Sequence, residues 1–203
     1  MVYKNLQKLS DRFQIVLGSG SPRRVDLLAE TGISFVQEIP FIKEIRKEFE
    51  LPVEYAERLA IEKALNISIS AKNDNYLIIG SDTIVIHEDR ILEKPNDMED
   101  AVSILSYLSG KCHQVCTALA FSLGEKILST GHETTRVFFN QVTKQEIISY
   151  VETKEPMDKA GAYGIQGMGA FLVDRIEGNL DNVIGLPRLL LERLAGKILK
   201  ETQ

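Results

Sequence analysis

Between Leu17 and Val25 the chain reads Gly18-Ser19-Gly20-Ser21-Pro22-Arg23-Arg24, a run of glycines, hydroxyls and guanidiniums suited to capturing an anion. Glycines let a ligand approach the backbone closely, and the N-terminus of a following helix offers free N–H groups. Paired arginines in a first helical turn oppose the helix dipole, a cost that makes sense where both reach an anionic ligand. A solvated basic turn is the plainer alternative. The run is not a Gly-Lys-Ser/Thr phosphate loop, and Arg23 and Arg24 fall where a dinucleotide fingerprint needs its third glycine. Farther on, Gly80-Ser81-Asp82-Thr83 follows an apolar stretch. An Asp at the end of a buried strand needs partners, and a divalent cation or a water to be activated would supply them. A turn-forming Asp accounts for the same residues equally well.

Three further segments depart from what packing alone would choose. Glu93-Lys94-Pro95 puts a lysine where a proline interrupts secondary structure, and Asp158–Gly169 carries four glycines in twelve residues around Tyr163 and Gln166. Such a loop either wraps something closely or is flexible, and a Gln inside it can read a base edge. Asn182–Pro187 reads as a structural turn into the last helix. Other features take a plainer reading. Cys112 and Cys116 on one strand face are buried thiols rather than zinc ligands, and His87 and His132 have no clustered partners in the sequence. The mixed-sign run Lys43–Glu50 is a solvated loop, with Glu44 the exception. The charges Glu54, Glu57, Arg58 and Glu62 form a wet helix face, with Lys63 ambiguous. What remains is a set of cations (Arg23, Arg24, Lys63, Lys94, Lys159) with the acids Glu44 and Asp82. That set suits a compact polyanion, best a nucleoside triphosphate with a bound divalent metal.

The elements that must position these groups alternate. Gln14–Leu17 is a short β-branched strand, and Pro22 opens a helix that Gly32 stops. Val53–Ser70 has apolar residues at helical period. Tyr76–Ile79 and Thr83–Ile86 read as two buried strands flanking Gly80-Ser81-Asp82. Met98–Leu108 is helical and closed by Gly110. Cys112–Leu123 and Lys126–Asn140 form a hairpin around Gly124. Thr143 with Glu146 is a capping box for a helix to Glu152. Phe171–Ile176 is a strand, and Pro187–Lys200 a closing helix. The pattern predicts an α/β protein with a mixed sheet, because a hairpin forces antiparallel pairs into it.

Composition narrows the function. At 203 residues, 44% hydrophobic and 26% charged, the chain can bury a sizeable core without disulfides. No apolar run approaches the length of a membrane span, and the polar N-terminal stretch lacks a signal-peptide core. Two cysteines suit a reducing cytoplasm. A net charge of −5 argues against a nucleic-acid-binding module.

At these residues the chain resembles the Maf family of nucleotide pyrophosphatases. Gly18–Arg24 is similar to that family's N-terminal signature. Ser81-Asp82-Thr83, Glu93-Lys94-Pro95, Leu108-Ser109-Gly110, Asp158–Gly167 and Val183–Pro187 resemble its later blocks in the same order. The similarity runs over roughly residues 14–197, so the resemblance implies a single domain over 1–203 with that core. It also implies a mixed twisted sheet flanked by helices, two lobes and a central substrate cleft, as in ITPase-like folds. The implied reaction is hydrolysis of dTTP and UTP, modified pyrimidine triphosphates included, to the monophosphate and pyrophosphate, a house-cleaning of the nucleotide pool. Carried over residue by residue, Asp82 is the proton acceptor, while Ser19, Arg24, Lys63 and Lys94 hold phosphates. Glu44 with Asp82 places a Mg2+ or Mn2+ ion. Arg23, Thr83 and Gln166 match positions tied to base choice, and the Pro22-Arg23 pair points to the dTTP/UTP branch. The family pattern is departed from at Phe41-Ile42-Lys43-Glu44, where acidic neighbours are usual, and at Leu180, where an aromatic is common. The expected partner is the nucleoside triphosphate, with no nucleic acid and no membrane, and a homodimer is admitted. The competing reading is a nucleotide-binding regulator of septum formation with secondary catalysis.

Overall fold

The computed structural model describes residues 3–71 and 75–201. Its helices are α1 (Lys4–Ser10), α2 (Pro22–Ala29), α3 (Pro52–Ala71), α4 (Met98–Leu108), α5 (Lys144–Glu152), α6 (Leu180–Ile184) and α7 (Arg188–Glu201). Its strands are β1 (Gln14–Gly18), β2 (Phe35–Glu38), β3 (Tyr76–His87), β4 (Arg90–Leu92), β5 (Cys112–Leu123), β6 (Lys126–Phe139) and β7 (Val173–Glu177). Among the described residues they form one seven-stranded sheet in the order β2-β1-β3-β5-β6-β7, with β4 paired to β3. The sheet is mixed, as expected: β1 runs parallel to both β2 and β3, while β3–β4 and β6–β7 are antiparallel. Among the described residues no helix is long and apolar enough to cross a membrane.

Local chemistry explains most element boundaries. Pro22 takes the first turn of α2, where its missing N–H is no loss. Thr143 accepts from the Glu146 N–H while the Glu146 carboxylate accepts from the Thr143 N–H, the capping box expected for α5. Gly124, at φ 55°, turns β5 into β6.

Two expectations are corrected. Gly80-Ser81-Asp82 is not a break between two strands but the middle of the continuous β3. A Cβ at Gly80 would lie 2.1 Å from the Ala60 carbonyl oxygen and 2.8 Å from the Ala64 nitrogen. The glycine is there because α3 passes directly over the strand, not because the chain turns. Residues Gly167–Leu172 are a 3-10 helix, so the strand expected from Phe171 begins at Val173.

The chain divides into two compact units, the first comprising Met1–Asp82, Thr117–Glu133 and Gly185–Gln203, the second Thr83–Cys116 and Thr134–Ile184. In the first, Leu6, Leu9, Ile15, Leu17, Leu28, Leu59, Ile78, Phe121 and Leu194 are buried. The N-terminus of α1, which has no cap of its own, is satisfied by Glu192 of α7: its carboxylate accepts from the Asn5 and Leu6 N–H groups at 2.8 and 3.0 Å. Residues 39–51 carry neither helix nor strand and expose Ile39, Phe41, Ile45, Phe49 and Leu51, Phe41 to 95%. The second unit packs α4 and α5 onto a core of Leu92, Leu105, Val115, Val137, Phe139, Ile147, Tyr150 and Tyr163.

Candidate active site

In the first unit the end of β1, the start of α2, the middle of β3 and the face of α3 meet. Gly80 and Asp82 lie two apart on β3 and so share a face. The glycine lets α3 approach that face closely, and Ala60 and Ala64 complete the fit. Lys63, one residue before Ala64, then reaches Asp82: Nζ donates to Oδ1 at 2.6 Å. Both residues are nearly sealed from solvent, at 8% and 5% exposure. A buried ammonium needs such a partner, because the desolvation of an isolated charge is prohibitive. Lys63 has a second one, since Glu44 Oε1 stands 2.7 Å from Nζ.

Glu44 sits on the irregular segment 39–51, and Arg58 of α3 fixes that segment. Its guanidinium grips Glu50 at 2.6 and 2.8 Å, bonds Glu62 at 2.8 Å and donates to the Ile45 carbonyl at 2.9 Å. Hydrogen bonding from Arg58 holds Glu50 down at about 2. The segment is exposed, as its mixed charge suggested, but it is tied in place one residue from Glu44.

The opposite face of β3 organises Arg24. Its Nε donates to the Gly185 carbonyl at 2.8 Å, and Nη1 donates to the Ser81 carbonyl and to Ser19 Oγ, both at 3.0 Å. The Ser81 hydroxyl also donates to Gly185 at 3.2 Å. Arg24 is therefore not a solvated basic turn; a planar fork pinned by several acceptors is pre-organised for oxyanions. Burial lowers its pKa from the ordinary value, while the Asp82 and Glu44 carboxylates oppose that and neighbouring Arg23 adds to it. Ser19 is buried beside it, accepting from the Ser21 N–H at 3.2 Å. The N-cap Ser21 makes no side-chain cap, so no side chain there competes for the first N–H groups of α2.

Thr83, Lys94 and Gln166 belong to the second unit. Thr83 is half-buried on β3, Lys94 is exposed after β4, and Gln166 is exposed just before the 3-10 helix Gly167–Leu172. The glycine loop holding Gln166 is ordered, and it wraps the protein's own side chains. Glu155 accepts from the Met168 and Gly169 N–H groups at 3.0 and 3.2 Å, and the Tyr150 hydroxyl accepts from Gly164 at 3.1 Å. The Gly161 N–H donates to the Glu93 carbonyl at 3.1 Å, tying this loop to the residue before Lys94. Tyr163 is not a ligand-facing residue. It is buried, with its hydroxyl 2.8 Å from His113 Nε2. Lys159 likewise spends its ammonium locally, on the Glu155 carbonyl and on Asp158 at 2.7 Å.

Gln37 escaped the sequence reading of the site altogether, and Ser81 and Gly185, read there only as members of their segments, were given no role. Gln37 Nε2 donates to the Ser19 carbonyl at 2.8 Å, fixing the anion loop from β2. No spacing announces this contact, although the parallel register Leu17↔Gln37 would have placed Gln37 beside the loop.

The donors available for a divalent cation are the carboxylates of Glu44 and Asp82, close enough to share one ammonium. Among the described residues no group of three His, Cys, Asp or Glu side chains could hold a metal. Mg2+ is commonly held by one or two carboxylates plus substrate phosphates rather than by a protein cage.

A family model described as Maf-like protein matches residues 14–198. A dTTP/UTP pyrophosphatase of Aquifex aeolicus is 47% identical over 181 residues, covering 89% of this chain and 93% of that protein. One of Acetivibrio thermocellus is 45% identical over 180 residues, covering 86% and 90%. Among solved structures, a nucleoside-triphosphatase/dITP/XTP pyrophosphatase of Mycobacterium abscessus aligns with TM-score 0.41 and 15% identity over 64% of this chain and 76% of that one.

Proposed function

The chain belongs to the Maf-like protein family, and we infer from that premise that it is a pyrophosphatase hydrolysing dTTP and UTP to the monophosphate and pyrophosphate. The observation that best supports the chemistry is the convergence on β3. Asp82 Oδ1 meets Lys63 Nζ at 2.6 Å, and the Arg24 fork is pinned to the neighbouring Ser81 carbonyl. Water attacks the α-phosphorus, the bond to the bridging oxygen breaks, and pyrophosphate leaves. Asp82 accepts the proton of that water. Ser19, Arg24, Lys63 and Lys94 bind and orient the phosphates, where positioning and electrostatics supply most of the rate. Arg23, Thr83 and Gln166 select the pyrimidine.

A Mg2+ or Mn2+ ion would be held by Glu44 and Asp82, and the chemistry it would supply is neutralisation of charge on the departing pyrophosphate. Lys63 is already within reach of both carboxylates, and its ammonium is turned to a phosphate once it leaves them. Residues 14–197 work as one functional domain. House-cleaning of the pyrimidine triphosphate pool, modified nucleotides included, places the activity in the cytoplasm.

The test is a release assay with Mg2+ or Mn2+ that separates pyrophosphate from orthophosphate, run on dTTP, UTP, CTP, GTP, ATP and 7-methyl-GTP. Pyrophosphate from dTTP and UTP, reduced about 10²-fold or more in Asp82→Asn, is the expected result. Nucleotide binding without turnover would replace the enzyme by a binding protein, and full turnover in Asp82→Asn would remove it as base. Gln166→Ala is expected to narrow the preference for dTTP over purine triphosphates; an unchanged ratio takes Gln166 out of base selection.

A further inference from the structure

Away from the candidate active site, α1 and α7 of the first unit border a cleft of about 790 Å³. Its rim carries Lys8, Arg12, Arg193, Lys197 and Lys200, with Asp11 as the only acid among the lining residues. Gly196 makes the cleft possible: a Cβ there would lie 3.0 Å from Asn5 Nδ2, so the two helices touch at that point while the long cationic side chains stand around it. Arg193, Lys197 and Lys200 recur along one face of α7, and Lys8 and Arg12 stand four apart at the end of α1. All of these cations are exposed. None of their side chains makes a hydrogen bond or ion pair among the described residues, whereas Arg58, Arg136, Lys159, Arg175 and Arg188 all have carboxylate partners. Lys8 and Lys200 complement the negative ends of their helices. Arg12, Arg193 and Lys197 have no such reason to gather, and like charges at helical spacing repel. In a chain of net charge −5, a concave cluster of unneutralised cations is a place where an anion is attracted.

We propose that this cleft is a second, non-catalytic binding site for a compact polyphosphate chain, either free pyrophosphate or the triphosphate tail of a nucleotide. Its volume is in the range of small-ligand sites. Arginine forks and lysine ammoniums together match bridged phosphate oxygens. No aromatic side chain lines the cleft, so it lacks the stacking platform that single-stranded nucleic acid uses. The site stands independently of the catalytic assignment, because none of its residues is in the candidate active site.

Backbone amide NMR on the whole chain tests it, in an Arg24→Ala background that weakens the first anion site, at low salt and without metal. Inorganic pyrophosphate, a non-hydrolysable α,β-methylene dTTP analogue and a single-stranded oligonucleotide are titrated separately. Saturable shifts confined to residues 8–12 and 193–200 are expected, weakened at least tenfold in Arg193→Glu/Lys197→Glu. Lysines and arginines on the surface tolerate reversal, and Arg193→Gln/Lys197→Gln repeats the test without introducing acid. A response to both ligands means the phosphate chain itself is read. A response to pyrophosphate alone identifies the free product as the ligand, and to the analogue alone, the nucleotide. No shift with either, or saturation only by a single-stranded oligonucleotide, overturns the proposal. Dissociation constants unchanged in both variants overturn it too.

Discussion

Lys63 is shared by Asp82 and Glu44, so each of the three charges depends on the other two. Removing the ammonium leaves the buried Asp82 carboxylate without its cation, beside an exposed Glu44, a loss expected to cost about 3–5 kcal/mol. The same change frees a pair of hard oxygen donors. Lys63→Ala is therefore expected to lower the melting temperature in the absence of metal and to gain more from added Mg2+ than the unmodified protein does. Melts with and without Mg2+ check this; an equal Mg2+ response in both proteins would separate Glu44 and Asp82 from metal binding.

His113 makes a different electrostatic statement. It is fully enclosed, T-stacked on Phe139 and Tyr163, and burial pushes it down to about 3. Above pH 6.5 both the folded and the unfolded chain hold this imidazole neutral. Below that the unfolded chain takes up a proton that the folded one refuses, so stability falls as pH drops from 6.5 towards 3, by up to ~1.4 kcal/mol per pH unit. Glu50, held down by Arg58, adds to the acid loss between 4.5 and about 2. Denaturant midpoints from pH 7 to 4 should fall, and His113→Gln should flatten the upper part of that slope. Neither group was legible beforehand: His113 lies in an ordinary strand sequence, and only tertiary enclosure makes its charge expensive.

Among the elements, the contact of α3 with β3 controls the site. Glycine, serine and aspartate in succession carry turn propensity, and the sequence read alone breaks the strand there. The break is absent because the same glycine meets a different demand, that of a helix backbone passing within van der Waals reach. Gly80→Ala should therefore cost about 1–3 kcal/mol or more by forcing α3 away. It should also lower kcat, because Lys63 moves with the helix; an unchanged kcat would uncouple the packing from the chemistry. The tether at Arg58 has the opposite signature. Arg58→Ala should leave nucleotide binding largely intact while raising the Mg2+ concentration needed for half-maximal rate, because Glu44 loses its anchor. The capping box of α5 and the hairpin at Gly124 were readable from local rules, whose partners lie a few residues apart. The 3-10 geometry of Gly167–Leu172 was not, because it answers to Glu155 and Tyr150 rather than to its own propensities.

For the molecule as a whole, the proposed site concentrates cations in a chain whose net charge is −5. Ser19, Arg23, Arg24, Glu44, Lys63 and Asp82 fall in one compact unit, while Thr83, Lys94 and Gln166 fall in the other. The Gly18–Arg24 run stands out in the sequence because its residue types conflict with local stability rules. The division of the nine positions between units was not, because the boundary passes through the peptide joining Asp82 to Thr83, inside one strand. Charge attraction on this scale is screened by salt. KM for dTTP is expected to rise with ionic strength while kcat changes little, and steady-state kinetics in 50–500 mM KCl would show it.

The segment 39–51 has a practical consequence. It exposes Lys43, Arg46 and Lys47 on backbone that belongs to no helix or strand, the arrangement that a serine protease with an acidic S1 pocket, such as trypsin, cuts first. A nick there would leave Glu44 on a loose chain end beside Lys63. Trypsin sensitivity of these bonds thus becomes a gauge of occupancy. Protection by Mg2+ with a non-hydrolysable triphosphate, but by neither alone, would report ligand closing on Glu44 in a gel lane, with no turnover required.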